Sequence, residues 1–453
     1  MRRFYTFALV LACLLALSAC GSDVQDAGPD QPPQEEGDED VTIYDCGGLQ
    51  AALPNEYLDV LHVDTDFPDA EESWKPLISV YEKASYEAAR QDFGGGGGFL
   101  FGFLVMDQTA FEQHISSDGS GMEIFATDGE RYYAYTHPTD VQFYRSGGEI
   151  DMESEDWKLW EKLNETGPLV REDFLTRNNL QSFSVQDVTS QITADTEGLV
   201  CVRYYRYSIR DGDTRIYDQL LLRQPARQGE GGIWAVDRWL DTWGSQYLYF
   251  PDSGKPAAEH YAELQERCDA GEHPELLTPI GAADAFVKDY FGHETAEGSF
   301  EEVREVDQGY MERNERLQQM TLDLYFRPEE VDGRDLLACA GEATADNWGV
   351  LGRAQYGSDW FNPLMEALAD AAVGEDQQWR DSMILSCLLA TKDSLADFRT
   401  PLDGILQTQA AADPAAFSAA MEAFSEEEQS YIQQHTGALR SASQPGIVDV
   451  PTN

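Results

Sequence analysis

Apolar residues between positions 45 and 180 recur at both helical and strand spacings. Asp69 can cap a helix that extends to about Gln91, because the apolar positions after it fall on one helical face. That face would hold Trp74, Leu77, Ile78, Tyr81 and Ser85. Phe99–Met106 is a candidate buried strand, and Asp128-Gly129 between two apolar runs predicts a β-hairpin. The pattern therefore mixes helices with antiparallel strands.

Two more helices are predicted before residue 180. Ser154 can cap the first, which carries Trp157, Trp160 and Leu163 and which Gly167-Pro168 would end. The second contains Phe174 and Leu175. Helices and strands that follow one another in this way favour an α+β arrangement.

Residues 181–251 show the period-two alternation of an antiparallel sheet. The predicted strands are 183–189, 199–209, 215–223, 233–243 and 247–250. Asp211-Gly212-Asp213 and the glycine-rich stretch 229–232 are turn sequences. Because a meander of this size buries too little surface alone, we expect it to pack against helices of residues 45–180.

Residues 257–439 are predicted to be helical for most of their length. Apolar spacing favours helices at 282–291 and 360–373, the second with Phe361, Leu364, Met365 and Leu368 in register. Asp413-Pro414 is a helix cap followed by proline, and Ser425 with Glu428 forms a capping box. We find no convincing fixed-period repeat, so we expect a helical bundle or stacked helix pairs, with a solenoid as the other possibility.

These patterns predict the α+β class, with an N-terminal α+β region that includes an antiparallel sheet meander, followed by a mostly α-helical domain. The expected divisions are a signal peptide at 1–19, a lipid anchor and disordered acidic linker at 20–44, an α+β domain at 45–255, a helical domain at 256–440 and a disordered tail at 441–453.

The N-terminus has the features of a cleaved signal. Arg2-Arg3 precedes an apolar run that is too short to span a bilayer. Leu17-Ser18-Ala19-Cys20 then resembles the lipobox of bacterial lipoproteins, in which small residues precede the cut and the cysteine thiol takes a diacylglycerol. The resemblance implies that Cys20 becomes a lipid-bearing N-terminus on the extracytoplasmic face of the cell membrane. An ordinary secretory signal with a cysteine there by chance is the alternative.

Charge narrows the choice of partners. The chain has 31 basic and 83 acidic residues and a net charge of −52. Such a charge disfavours nucleic acid and anionic lipid as partners of the body. It is compatible with a solvated acidic surface, with loose divalent-cation binding or with a basic partner.

The cysteines do not form a metal or redox motif. Cys13 leaves with the signal and Cys20 takes the lipid, so Cys46, Cys201, Cys268, Cys339 and Cys387 remain. An odd number allows at most two internal disulfides, and no pair has CxxC spacing. We expect buried free thiols at Cys201 and Cys387.

The sequence lacks the common catalytic and cofactor-binding motifs. The glycines at 94–98 lack the lysine of a phosphate-binding loop, no two histidines have metal-binding helical spacing, and no GxSxG sequence occurs. Carboxylate pairs for glycoside hydrolysis are set by distance in space, and the sequence selects none. Asp211, Asp213 and Asp218 resemble a calcium loop only faintly, and a charged turn is favoured. No metal or cofactor is predicted.

Aromatic residues concentrate in the predicted meander. They are Trp234, Trp239, Trp243, Tyr204, Tyr205, Tyr207 and Tyr217. Such rings usually pack in a core, but they can also stack on sugar rings. If the sheet binds a ligand, we expect its exposed face to hold Trp239 and Tyr205.

Four segments resemble uncharacterised lipoproteins of Gram-positive gut bacteria. They are 97–105, 118–135, 138–144 and 232–239. The resemblance covers about a third of the chain, and it implies a lipid-anchored extracellular protein without implying an activity.

The sequence favours a non-enzymatic, membrane-anchored protein that binds an unknown ligand or protein partner. An extracytoplasmic hydrolase that uses carboxylates assembled in the fold is the alternative. A solute-binding lipoprotein of a transporter would need two α/β lobes, which the predicted meander disfavours.

Overall fold

The computed structural model describes residues 40–436, apart from 69, 71–72, 117–121, 148–149, 210–213, 354–357, 375 and 392–395. The fold is α+β, as the sequence predicts. Antiparallel sheets lie in the first part of the chain, and helices predominate after residue 307.

A two-stranded and a six-stranded antiparallel sheet form the first part. Their strands are β1 (Val41–Asp45), β2 (Gln50–Pro54), β3 (Leu61–Asp64), β4 (Trp74–Glu82), β5 (Phe99–Met106), β6 (Met122–Thr127), β7 (Tyr132–Thr136) and β8 (Gln181–Ser182). The helices among them are α1 (Lys83–Phe93), α2 (Gln108–Ser116), α3 (Glu155–Asn164), α4 (Thr166–Arg177) and α5 (Val185–Ala194). The strand order of the larger sheet is β3-β4-β5-β7-β6-β8.

The larger sheet has apolar residues on both faces. Phe101 and Phe103 pack with Trp160 of α3 and Phe174 of α4 on one face. The other face packs against α2 and α5. The predicted strand Phe99–Met106, the hairpin β6–β7 and the Ser154 cap are confirmed, the last by a 3.2 Å hydrogen bond from the Trp157 N–H to Ser154 Oγ. Helix α3 ends before Gly167-Pro168, which lies in the first turn of α4.

The helix predicted from Asp69 to Gln91 is wrong over its first half. Trp74–Glu82 is strand β4, and only the part that begins at Lys83 is helical. Ile78, Val80 and Glu82 are buried in alternation. Pro76 would interrupt the hydrogen bonds of a helix, whereas in β4 it lies where the pairing with β5 shifts register.

The strand predicted at 183–189 is also wrong, because residues 185–194 form helix α5. The β-branched residues in this run favour a strand locally. However, Ser184 Oγ accepts a hydrogen bond from the Asp187 N–H at 3.2 Å and so caps a helix. Val185 and Val188, three positions apart, then pack under the six-stranded sheet.

A five-stranded antiparallel sheet follows. Its strands are β9 (Val200–Ile209), β10 (Thr214–Arg223), β11 (Ala235–Leu240), β12 (Gln246–Leu248) and β13 (Phe300–Val303), in the order β12-β11-β10-β9-β13. The helices between and after these strands are α6 (Ala257–Asp269), α7 (Pro279–Phe291) and α8 (Gln308–Phe326). Strands β9 to β12 confirm four predicted runs, although the turn Asp211-Gly212-Asp213 lies outside the described residues. The predicted helix at 282–291 is confirmed as part of α7.

Helices from later in the chain cover both faces of the five-stranded sheet. Helix α7 packs Ala283 and Val287 against Leu220 and Leu222 of β10. On the other face, Tyr310 of α8 packs against the sheet, together with Val350. The expected packing against helices of residues 45–180 is found only at one edge, where α2 contacts β12, and both faces are covered by later helices. Strand β13 lies beyond the predicted domain boundary at 255/256 and pairs with β9. The domain boundaries themselves stay predictions.

Helix α2 is joined to the chain that leaves the five-stranded sheet. The Glu112 carboxylate, 8% exposed, accepts a hydrogen bond from the Ala257 N–H at 2.7 Å and so caps α6 from a distant part of the sequence. Ser116 Oγ accepts another from the Phe250 N–H at 3.2 Å. These contacts tie the two larger sheets together.

The remaining helices share one core, which includes the fully buried side chain of Trp348. They are α9 (Gly333–Glu342), α10 (Ala345–Arg353), α11 (Ser358–Ala371), α12 (Gln377–Ala390), α13 (Ala396–Ala412), α14 (Pro414–Met421) and α15 (Glu426–Thr436). The predicted helix at 360–373 is confirmed as α11, with Leu364, Met365 and Leu368 buried. The Asp413 cap and the Ser425–Glu428 capping box are also confirmed.

All five cysteines in the described part of the chain are buried free thiols. Burial raises the pKa of Cys46 to about 11 and that of Cys201 to about 12. None of the helices within the described ranges is both long and apolar enough to cross a membrane.

An aromatic surface as the candidate functional site

Aromatic side chains from helix α7 and from one edge of the five-stranded sheet lie together. We call the group the aromatic surface; it consists of Trp239, Tyr247, Tyr249, Phe286, Tyr290 and Phe291. Trp239 stacks on Tyr247 with ring centroids 4.3 Å apart. Tyr290 stacks on Phe286 at 5.1 Å and contacts Tyr249 edge-on at 5.4 Å. The contacts are continuous from strand to helix.

Local structure places these rings. Trp239 of β11 and Tyr247 of β12 are opposite each other in an antiparallel pair, so both side chains leave the same face of the sheet. Phe286 and Tyr290 are four positions apart on α7 and therefore share a helical face. Gly292, with a φ of 64°, ends the helix directly after Phe291.

The outer part of the aromatic surface is open to solvent and the inner part is core. Tyr290 is 49% exposed, whereas Phe286 is 7% exposed. Trp239 and Tyr247 are half-buried. Trp239 contacts Tyr247 on one side and Phe291 and Tyr290 on the other, at 4.9 and 5.9 Å. Tyr290 is thus the exposed ring of the aromatic surface, and Trp239 contacts both Tyr290 and Tyr247.

The two ligand-binding residues predicted from the sequence are not brought together. Tyr205 is opposite Tyr217, which stacks at 4.1 Å on Tyr310 of α8, on the sheet face away from Trp239. The Tyr205 hydroxyl donates to the Glu301 carboxylate, and Arg215 lies 4.9 Å from the Tyr205 ring. One exposed face that holds both Trp239 and Tyr205 therefore does not exist, although a ligand role for either residue stays a prediction.

A buried ion pair lies in the sheet near the aromatic surface. Asp218 is opposite Tyr204, whose ring is 6.4 Å from Phe291. The Asp218 side chain is fully buried, and its Oδ1 accepts hydrogen bonds from Arg206 at 2.6 Å and from Thr242 at 3.1 Å. Burial raises the pKa of Asp218 to about 6, although Arg206 favours the ionised form.

Of the faint calcium-loop pattern, only Asp218 belongs to the described residues. Asp211 and Asp213 lie outside the described residues, and the Asp218 carboxylate is engaged by Arg206. Within the described ranges, no group of three or more His, Cys, Asp or Glu side chains could hold a metal ion.

Three carboxylates interact with tyrosines of the aromatic surface. Asp241 Oδ2 lies 3.4 Å from the Tyr247 hydroxyl. Asp289 and Asp252, both exposed, lie close to Tyr249; burial raises the pKa of Tyr249, and these two carboxylates raise it further. None of the three forms an ion pair with a residue in the described part of the chain.

Arg238, beside Trp239 in β11, has a structural role. Its side chain is 1% exposed and donates to the backbone carbonyls of Thr193 and Asp195 at the end of α5, and to Asp237 at 3.1 Å. A cation at a helix C-terminus stabilises the carbonyl ends of the helix. Arg238 thereby holds α5 against the sheet and is not available to a ligand.

Sequence reasoning missed Tyr247 and Tyr290 as site residues. Tyr290 belongs to the predicted helix at 282–291 and is four positions after Phe286, which is a signal for a shared helical face. Nothing in the sequence indicates that this face meets Trp239. Cys20 and the segment that resembles a lipobox lie outside the described residues.

Comparison of the chain with protein-family models, with curated proteins and with solved structures finds no match.

Proposed function

We propose that the protein is a lipoprotein anchored on the extracytoplasmic face of the cell membrane, and that its body is a non-enzymatic binding protein for glycans. A sugar ring would stack on Tyr290 and Tyr247. The observation that supports this proposal is the half-exposed Tyr290 ring, fixed by Phe286 and Tyr249 at 5.1 and 5.4 Å. A rigid, exposed aromatic ring can bind the apolar face of a sugar with little loss of conformational entropy.

Binding fits this surface better than hydrolysis does. A glycosidase needs two carboxyl groups that reach the scissile bond, one of them with a raised pKa. Asp218 has a raised pKa of about 6, but its side chain is fully buried and is engaged by Arg206. It cannot donate a proton to a sugar at the aromatic surface without a rearrangement of the sheet.

The test of the binding site is calorimetric titration of the full-length protein with neutral, amine-bearing and acidic oligosaccharides. Tyr290→Ala is expected to weaken binding about fivefold or more, because exposed aromatic contacts contribute roughly 1 kcal/mol. Tyr325→Ala is the matched control, since Tyr325 is 56% exposed on α8 and is not part of the aromatic surface. Equal loss in both variants, or no binding by the native protein, would contradict the proposal.

The anchor is tested separately. In cells grown with radioactive palmitate, Cys20→Ala is expected to abolish labelling of this protein. No other residue in the signal region can take the thioether-linked lipid after cleavage. Lipid labelling that persists in the variant would exclude Cys20 as the attachment site.

A further inference from the structure

We infer that a proton shared by Asp381 and Gln409 closes a buried ring of hydrogen bonds between α12, α13 and the end of α11, and that the ring opens when this proton is lost. The three helices are then held together more firmly in acid than at alkaline pH. The inference concerns the helices after residue 333 and does not depend on glycan binding.

A chain of hydrogen bonds already joins the two side chains. Gln377 Nε2 donates to Asp381 Oδ1 at 2.7 Å and to the Ala372 carbonyl at 3.4 Å. Gln409 Nε2 donates to the same carbonyl at 2.9 Å. Ala372 directly follows α11, and carbonyls at a helix end lack partners within the helix. Asp381 of α12 and Gln409 of α13 are therefore linked through one amide and one carbonyl.

Each end of this chain has an acceptor that lacks a donor. Asp381 is fully buried, and its Oδ2 has no hydrogen-bond partner in the described part of the chain. Gln409 is 4% exposed, and its Oε1 is without a partner in the same ranges. The Gln409 amide cannot be turned over, because its Nε2 donates to Ala372. Buried acceptors without donors are costly, and one O–H group on Asp381 satisfies both.

The surroundings favour this proton. Burial and the Asp413 carboxylate, at the start of α14, raise the pKa of Asp381 to about 6, although one hydrogen bond lowers it. Arg334, on the adjacent helix α9, lies 3.9 Å from the Asp376 carboxylate. Arg380, next to Asp381 in the chain, forms no ion pair with it within the described ranges. The Asp381 carboxylate thus has no cation that would hold it ionised.

Gain and loss of the proton act on the packing of the three helices. The pKa of Asp381 in the folded protein is above its ordinary value of 3.8, so the stability that the proton contributes is complete below pH 4. It is lost as the pH rises through about 6. At pH 8 two buried oxygens remain without donors, and α13 should open more readily.

Hydrogen exchange of the full-length protein, followed by mass spectrometry, measures how often α13 opens. Peptides from residues 396–412 are compared at pH 5 and at pH 8, after correction for the intrinsic exchange rate at each pH. We expect the corrected rate to be about five- to tenfold higher at pH 8, because the loss of one buried hydrogen bond changes an equilibrium by about that factor.

Two variants should abolish the pH difference in opposite ways. Asp381→Asn supplies an N–H donor at every pH, so its α13 should exchange at both pH values as slowly as native α13 does at pH 5. Gln409→Met removes the acceptor, so exchange should be fast at both. Asp370→Asn neutralises an exposed carboxylate of α11 and is the matched control, which should keep the native difference.

Three results would overturn the inference. A pH difference that persists in Asp381→Asn, or that is lost in Asp370→Asn, would assign the effect to the general charge of the chain. A difference that persists in Gln409→Met would show that the proton is not shared with Gln409. Equal exchange of the native protein at both pH values would show that another donor, such as a buried water, satisfies the two acceptors. If Gln409→Met does not fold, Gln409→Asn replaces it, since its shorter side chain cannot join both partners.

Discussion

The five-stranded sheet and helices α9 to α15, which we call the late helices, both contain buried polar side chains. They differ in the partners that these side chains have. In the sheet, Gln219 exchanges hydrogen bonds with both backbone groups of Asp307, and Asp218 is paired with Arg206. In the helices, the Oδ2 of fully buried Asp381 and the Oε1 of Gln409 have no hydrogen-bond partner in the described part of the chain. Oδ2 of Asp218 in the sheet likewise has no hydrogen-bond partner among the described residues, but Asp218 has a cation beside it and Asp381 is in no described ion pair.

The difference follows from the two architectures. Strands β9 and β10 place side chains opposite each other at short range, and helices packed on both faces bring in groups from distant parts of the chain. Asn347 of α10, for example, donates to the Tyr310 carbonyl and to Asn314 of α8, at 2.9 and 2.8 Å. Asp381 on α12 has one close partner, Gln377 Nε2, which is on its own helix at 2.7 Å. A buried carboxylate without a cation reduces stability, so a neutral residue is a better candidate for stabilisation at Asp381 than at Asp218.

The largest expected decrease in the free energy of unfolding comes from removal of the cation that pairs with Asp218. Arg206→Met keeps the apolar stem but leaves the Asp218 carboxylate buried without a cation, and we expect the free energy of unfolding to fall by about 3 kcal/mol at pH 8. At pH 5 the loss should be smaller, because Asp218 is then protonated. Urea unfolding at the two pH values measures both effects. Arg215→Met, which removes an exposed arginine of β10, is the control, and an equal loss there would refute the explanation.

The second prediction compares two buried glutamines. Gln219→Leu leaves the N–H and carbonyl of Asp307 without their partner and should lower the free energy of unfolding by about 2 kcal/mol. Gln409→Leu loses one hydrogen bond, to the Ala372 carbonyl, and also removes an acceptor that has no partner, so a change of less than about 0.5 kcal/mol is expected. Chemical denaturation of the two variants gives the comparison. Similar losses would show that the two regions do not differ.

The third prediction concerns Asp381. Burial raises its pKa from 3.8 to about 6, so the folded state binds a proton more tightly than the unfolded state. The stability that this proton contributes is complete below pH 4 and is lost as the pH rises through 6. Asp381→Asn removes that loss and should increase the free energy of unfolding by about 3 kcal/mol at pH 8, relative to its effect at pH 4, since one pKa unit corresponds to about 1.4 kcal/mol. A pH-independent difference between variant and native protein would contradict this assignment.

Sequence signals were reliable where the decisive interaction is local. The caps at Ser154, Asp413 and Ser425 and the hairpin at Asp128 each depend on contacts within a few residues, and all four are confirmed. The two incorrect elements, at 74–82 and 183–189, had local preferences of the wrong kind. Pro76 and Ser184 were the local signals that pointed to the correct structure.

Only part of the candidate site could be predicted from the sequence. Trp239 was identified because aromatic residues concentrate in the meander, and it does contact the exposed rings. Its predicted companion Tyr205 lies on the other face, since the strand registers that decide which side chains share a face depend on pairing between distant segments. Register shifts in the pairing of β9 with β10, and of β10 with β11, make that choice harder to read from alternation alone.

The sequence alone determined the α+β class, the helix caps, most strands of the five-stranded sheet and a strongly acidic surface, because these depend on local periodicity and composition. The tertiary structure decided which helices cover that sheet, that β13 joins it, and that Tyr290 meets Trp239. Those arrangements arise from the burial of apolar faces that are far apart in the chain, and the partner of such a face is not specified by the face itself.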